Sequence, residues 1–273
     1  MRKPFFFAPE VAVVLVAVAC NDYEAADDSS VPPDGGGPDI SVPDDTGSAV
    51  DSGSPPTGFC AKKGDAAVWC EDFDSLTDST SLLPGTSDPS LAAKVSRKTF
   101  VSEPQSLVFH FPPDAGTGYT VVEHGLKTDR EARLELDWQW PTLGVSEGQT
   151  LQSITLKRGP AQASFGRSCG LAEDGGPPSC QTYIASCDGA SCTLHDVAVG
   201  SLLSWSHVAL QARFGPNGHI RFAQDANVLL DIDAPTSEPP ATEPLTATIG
   251  VAVLQGKSAG IELFFDNVFL TLL

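Results

Sequence analysis

The run Glu135-Leu136-Asp137-Trp138-Gln139 repeats a polar side chain at every second residue: two carboxylates, then an amide. On a strand all three share one face, because side chains alternate with a period of two. Adjacent carboxyls can divide acid and base work at one bond, but the group that returns the proton must itself ionise, and the Gln139 amide does not. The same residues also read as the polar face of an amphipathic strand. Elsewhere the chemistry-bearing residues are scattered. His110, His124, His195, His207 and His219 form no His-Glu-x-x-His or His-x-His pattern. His207, between Ser206 and Val208, is expected to bond within the structure. No Gly-x-Ser-x-Gly elbow marks a serine hydrolase, and no glycine-rich loop leads into a helix to cradle phosphate.

The elements that must position these residues are strands. Apolar and polar residues alternate over 94–100, 106–111, 119–124, 131–140, 150–157, 181–186, 193–199, 204–214, 219–224, 227–233, 246–254 and 261–272, separated by turn signals such as Gly215-Pro216-Asn217-Gly218. No segment holds a helical period for more than about two turns. Many strands without helices predict a two-sheet antiparallel sandwich or jelly roll. In 131–140, Ala132, Leu134, Leu136, Trp138 and Trp140 point toward the core, and Glu131, Arg133, Glu135, Asp137 and Gln139 point away from it.

The last third runs SWSHVALQARFGPNGHIRFAQDANVLLDI, then TATIGVAVL, then GIELFFDNVFLTLL. With the opening Trp69-Cys70-Glu71-Asp72-Phe73-Asp74, this order resembles the concanavalin A-like, laminin-G-like jelly rolls over residues 67–272. The resemblance implies that the first and last strands pair. It also implies a non-catalytic domain that binds a carbohydrate or another extracellular polymer, the leading reading of function. Tyr119, Tyr183 and Phe165 are the aromatic candidates for a sugar face, and otherwise fill the core. Jelly rolls of this kind also bind calcium, for which Asp72, Asp74, Asp266 and Asn267 are the candidate ligands; alternatively, Asp266 bonds the edge of the sheet. Retaining glycosidases of the laminarinase type carry a Glu-x-Asp-x-Glu strand, which Glu135 and Asp137 match and Gln139 does not. Jelly-roll polysaccharide lyases need a His, Tyr and Arg set that the spacing here does not assemble. A polysaccharide-active enzyme, hydrolase or lyase, and a structural protein-binding domain are the alternatives.

Seven cysteines divide into one and six. Ala17-Val18-Ala19-Cys20 follows Arg2, Lys3 and an apolar run over 11–19, and resembles the lipobox of bacterial lipoproteins, with Ala17 where Leu is usual. Residues 1–19 read as a signal peptide and Cys20 as the lipidated residue, tethering an exported protein to a membrane of the cell envelope; the alternative is ordinary cleavage that leaves a free thiol. The remaining six form an even set suited to an oxidising compartment. Nearest-neighbour pairing gives Cys60 with Cys70, Cys169 with Cys180 and Cys187 with Cys192, among 15 possible connectivities. A zinc cluster lacks the Cys-x-x-Cys spacing.

Residues 20–57 hold nine acidic residues, no Lys or Arg, and many Ser, Pro and Gly. Such a segment buries too little apolar surface to offset chain entropy, and reads as a disordered linker. The jelly roll then occupies 58–273, one domain. Of 35 acidic and 16 basic residues in the chain, 25 and 14 fall in this domain. No cationic cluster exists to displace counterions from a phosphate backbone, so nucleic acid is excluded as a partner.

Overall fold

A computed structural model describes residues 59–60, 67–73, 84–86, 93–103, 105–113, 118–126, 131–143, 148–170, 179–255 and 259–273. The expected signal peptide, Cys20, the expected linker over 20–57 and Asp74 lie outside the described residues. Among the described residues of Thr57–Leu273 the regular elements are strands, apart from a helical turn at 59–60.

One sheet contains β1 (Trp69–Glu71), β3 (Lys94–Ser96), β4 (Ser106–Pro113), β6 (Glu131–Leu143), β11 (Ser206–Arg213), β12 (His219–Gln224), β13 (Asn227–Asp233) and β15 (Ala259–Leu272). The other contains β2 (Pro84–Thr86), β5 (Gly118–Leu126), β7 (Thr150–Arg158), β8 (Ala161–Gly170), β9 (Ser179–Asp188), β10 (Ser191–Asp196) and β14 (Leu245–Gln255). The first sheet runs β13-β12-β11-β6-β15-β4-β3, with β1 also on β15; the second runs β10-β9-β8-β7-β14-β5-β2. All pairs are antiparallel. This is the expected two-sheet sandwich, and the first and last strands pair as expected, Trp69 opposite Leu270 and Glu71 opposite Val268.

The inward row of β6 is buried throughout, from Ala132 to Trp140. Trp138 and Phe165 pack at a centroid distance of 4.7 Å, Trp138 and Trp140 at 5.7 Å, and Phe165 stacks on Phe222 at 5.3 Å. Each such ring, taken out of water, contributes about 1.5 to 3 kcal/mol. Phe165 comes from β8, whose Ala, Gln and Ser make its alternation faint in the sequence.

All three expected disulfides are present. Two of them join residues that face each other in register, Cys169 with Cys180 across β8 and β9, and Cys187 with Cys192 across β9 and β10.

β15 has an irregular centre. On one flank β4 pairs with it only as far as Phe265, and β1 begins opposite Val268. On the other flank the register with β6 shifts between Asp266 and Phe269, and Asn267 has φ 50°. Asn tolerates that left-handed conformation better than most residues. β3 ends at Ser96, four residues short of the expected strand, because the chain from Arg97 leaves the ladder and its Val101 and Ser102 amides turn to Asp266 instead.

Candidate functional site

The outer face of the eight-stranded sheet holds two neighbouring arrangements. The first is a closed charge cluster on β6. His207 lies in register with Asp137 across β11 and β6. Its Nδ1 is 3.0 Å from Asp137 Oδ1, and its Nε2 is 3.3 Å from Glu135 Oε2. Asn267 Nδ2 donates to the other Asp137 oxygen at 2.8 Å, and Arg133 Nε forms an ion pair with Glu135 at 2.9 Å. The hydrogen bond to Asp137, then that to Glu135, pushes the His207 pKa up to about 9 against the opposing effect of burial. An imidazolium with both nitrogens engaged has no lone pair to take a proton, and its two carboxylates are held by donors rather than free for attack. Glu135 and Asp137 therefore form the polar, structural face of the strand. Gln139 serves as a strut, donating to Leu203 O at 2.7 Å.

The second arrangement is open. A groove of about 890 Å³ lies beyond Gln139, over β6, β15, β4 and β3. Phe264 contributes to its floor, in register with Gln139 on one side and Val108 on the other. Against the expectation of no cationic cluster, Lys94, Arg97 and Lys98 form a basic wall, and Glu262 is the one carboxylate among the described lining residues. Opposite Glu262 in register stands His110, its Nδ1 3.7 Å from Oε1, with both side chains more than two-fifths exposed.

The aromatic candidates for a sugar face are corrected in part. Phe165 is fully buried in the ring cluster of the core. Tyr183 is 5% exposed and lies flat over Gly166, where a Cβ would come within 2.5 Å of the ring; its hydroxyl donates to Leu151 O at 3.4 Å. Burial pushes its pKa up to about 12, so the phenol is no base near neutrality. Tyr119 is half-buried on the outer face of the seven-stranded sheet, opposite Ala252. Phe264 was missed because it stands beside Phe265 in an apolar run, and only the pleat decides that Phe265 goes to the core.

Of the candidate calcium ligands, Asp266 takes its alternative role and bonds at the edge of a strand, and Asp74 lies outside the described residues. Asp266 Oδ2 accepts from the Val101 and Ser102 amides, both at 2.8 Å, while Oδ1 accepts from Ser102 Oγ at 3.0 Å and the Asn267 amide at 2.8 Å. Four donors occupy the roughly four lone-pair positions of a carboxylate. Asn267 donates to Asp137, and Asp72 has a partner of its own. Among the described residues no three His, Cys, Asp or Glu side chains are grouped to hold a metal ion.

No protein family matches the sequence, and no curated protein matches it either. Solved structures do match. A variant of alginate lyase Aly36B in complex with an alginate tetrasaccharide has a TM-score of 0.53 at 11% identity, covering 75% of this chain and 96% of that one. An endo-β-1,4-glucuronan lyase from the fungus Trichoderma reesei has 0.50 at 9%, covering 77% and 92%. The cellulose-induced protein Cip1 has 0.51 at 10%, covering 74% and 96%. The domain has a jelly-roll sandwich fold. The first two neighbours are lyases by name, and on that finding the expectation of a non-catalytic binding module is withdrawn.

Proposed function

We propose that the domain cleaves an acidic polysaccharide by β-elimination in the groove on the outer face of the eight-stranded sheet. The observation that carries the reading is the make-up of that groove on an otherwise acidic domain: three cations and one carboxylate, Glu262, which has His110 opposite it in register. Lys94, Arg97 and Lys98 meet the carboxylates of a uronate chain and raise the acidity of the sugar C5 hydrogen. His110, with Glu262 Oε1 3.7 Å from its Nδ1, offers Nε2 as the base. The C5 proton passes to Nε2, its electron pair becomes the C4–C5 double bond, the C4–O4 bond breaks, and the departing oxygen takes a proton from solvent. Hydrolysis by two carboxylates is less well served, because Glu262 has no second carboxylate beside it among the described lining residues. The similarity to alginate and glucuronan lyases supports the same class of substrate.

The test is a panel of alginate, glucuronan and neutral glucans incubated with the purified full chain. Ultraviolet absorbance of an unsaturated uronate product, from acidic polymers alone, is the expected result. New reducing ends without that absorbance mean hydrolysis and refute elimination, and no product from any polymer refutes the enzyme. The reading also places the enzyme at a cell envelope through acylation of Cys20; loss of fatty-acid labelling in Cys20→Ser checks this.

A further inference from the structure

Of the three cations in the wall of the groove, Lys94 stands on the β3 ladder opposite Val108, but Arg97 and Lys98 do not. They belong to the strap that leaves β3 after Ser96 and returns at Ser106 to begin β4. Two ties lie near its ends: Ser106 Oγ donates to Thr99 O at 2.5 Å, and Arg97 Nε donates to Gln105 Oε1 at 3.3 Å. The tie in the middle is Asp266, whose carboxylate takes two successive backbone amides and one hydroxyl of the strap.

That carboxylate occupies a particular gap. Along one flank of β15 the ladder to β4 stops at Phe265 and the ladder to β1 starts at Val268, so among the described residues no strand lies beside 266–267 there. The side chain of Asp266 supplies the acceptors that a neighbouring backbone would otherwise provide. It is fully buried, and a buried carboxylate is tolerated only when its lone pairs are satisfied. The next residue, Asn267, reaches the other way and holds Asp137 of the charge cluster.

We infer that Asp266 is a positioning residue for the groove: by mounting the strap it fixes where Arg97 and Lys98 stand, and so sets how tightly a polyanionic chain is held. The effect on ligand rests on the elimination reading above; the mounting of the strap does not.

Two variants of the full chain test this, Asp266→Asn, which keeps the shape and loses the charge, and Ser102→Ala, which removes a single bond. Amide exchange at Val101 and Ser102 and tryptic cleavage after Arg97 and Lys98 report the strap directly. With Asp266→Asn both should rise about tenfold or more, the loss expected for one charge-assisted hydrogen bond, with Ser102→Ala in between. On whichever of alginate or glucuronan the wild type cleaves, KM should rise by a similar factor with kcat unchanged, while the thermal midpoint stays above the assay temperature. A strap that stays protected in Asp266→Asn overturns the mounting. A loosened strap with unchanged KM overturns the link to ligand. If the wild type cleaves neither polymer, the elimination reading fails by itself, and the exchange rates still decide whether Asp266 mounts the strap.

Discussion

His207 and Asp137 face each other across β11 and β6, with Nδ1 3.0 Å from Oδ1, and the far side of the same ring meets Glu135 at 3.3 Å. The pair makes stability depend on pH. A histidine whose folded pKa, here about 9, lies above its unfolded value of 6.5 contributes stability that is complete below about pH 6.5 and lost as pH rises through about 9. Thermal melts should show the midpoint falling across that window in the wild type, and falling less in His207→Gln. Parallel curves for the two proteins would mean that the clamp carries no load.

The closed cluster and the open groove make opposite predictions for two acid-base residues. His110→Gln should lower kcat on the cleaved polymer by about 10² to 10⁴ with little change in KM, as expected for loss of a general base. Glu135→Gln should leave kcat alone and cost about 1 to 3 kcal/mol of stability, since it weakens the bonds to His207 and Arg133. Steady-state kinetics paired with denaturant unfolding separates the two, and a kcat loss in Glu135→Gln would move the chemistry to the cluster.

Charge on the wall should act through affinity. Lys94→Ala, Arg97→Ala and Lys98→Ala, made singly, should each raise KM for an acidic polymer several-fold. The differences should shrink in about 1 M salt, where the screening length falls to about 3 Å. A salt-independent defect would point to lost packing instead.

The disulfides should rank by the loop that each closes. Cys187 and Cys192 are 5 residues apart, and Cys169 and Cys180 are 11 apart. Chain entropy then gives about 2 kcal/mol for the first and about 3 kcal/mol for the second. Paired Cys-to-Ser replacements, followed by calorimetry, should lower the midpoint by about 4 to 6 °C and 6 to 9 °C respectively. The reverse order would show that strain or residual structure outweighs loop length.

What was legible in the sequence is what depends on near neighbours. The inward row of β6, the short-range cysteine pairs and the adjacency of the terminal strands all follow from alternation or from recognisable order. The site was less legible because it depends on distant residues and on the pleat. His207 meets Asp137 across 70 residues of chain, and Asp266 meets Ser102 across 164. The bulge at Asn267 breaks the alternation of β15: a straight count from the core residue Phe265 puts Phe269 inward and Val268 outward, but Val268 is in the core and Phe269 pairs with the outward Glu135. β8 was passed over because Ala161, Ala163 and Gly166 give little hydrophobic contrast, although their small size leaves room for Phe165 and Tyr183.

The strand order also fixes when this domain can exist. The two strands nearest the C-terminus, β14 and β15, lie inside the sheets: β14 separates β5 from β7, and β15 separates β4 from β6. As the chain emerges from the ribosome, the seven-stranded sheet is therefore two unconnected pieces until β14 appears, and the eight-stranded sheet is three, β1 among them, until β15 appears. No partial chain can close its core early, and a slow collapse dominated by distant contacts is expected. A stop codon before Ala259 would leave the eight-stranded sheet in three unconnected pieces rather than produce a shortened domain.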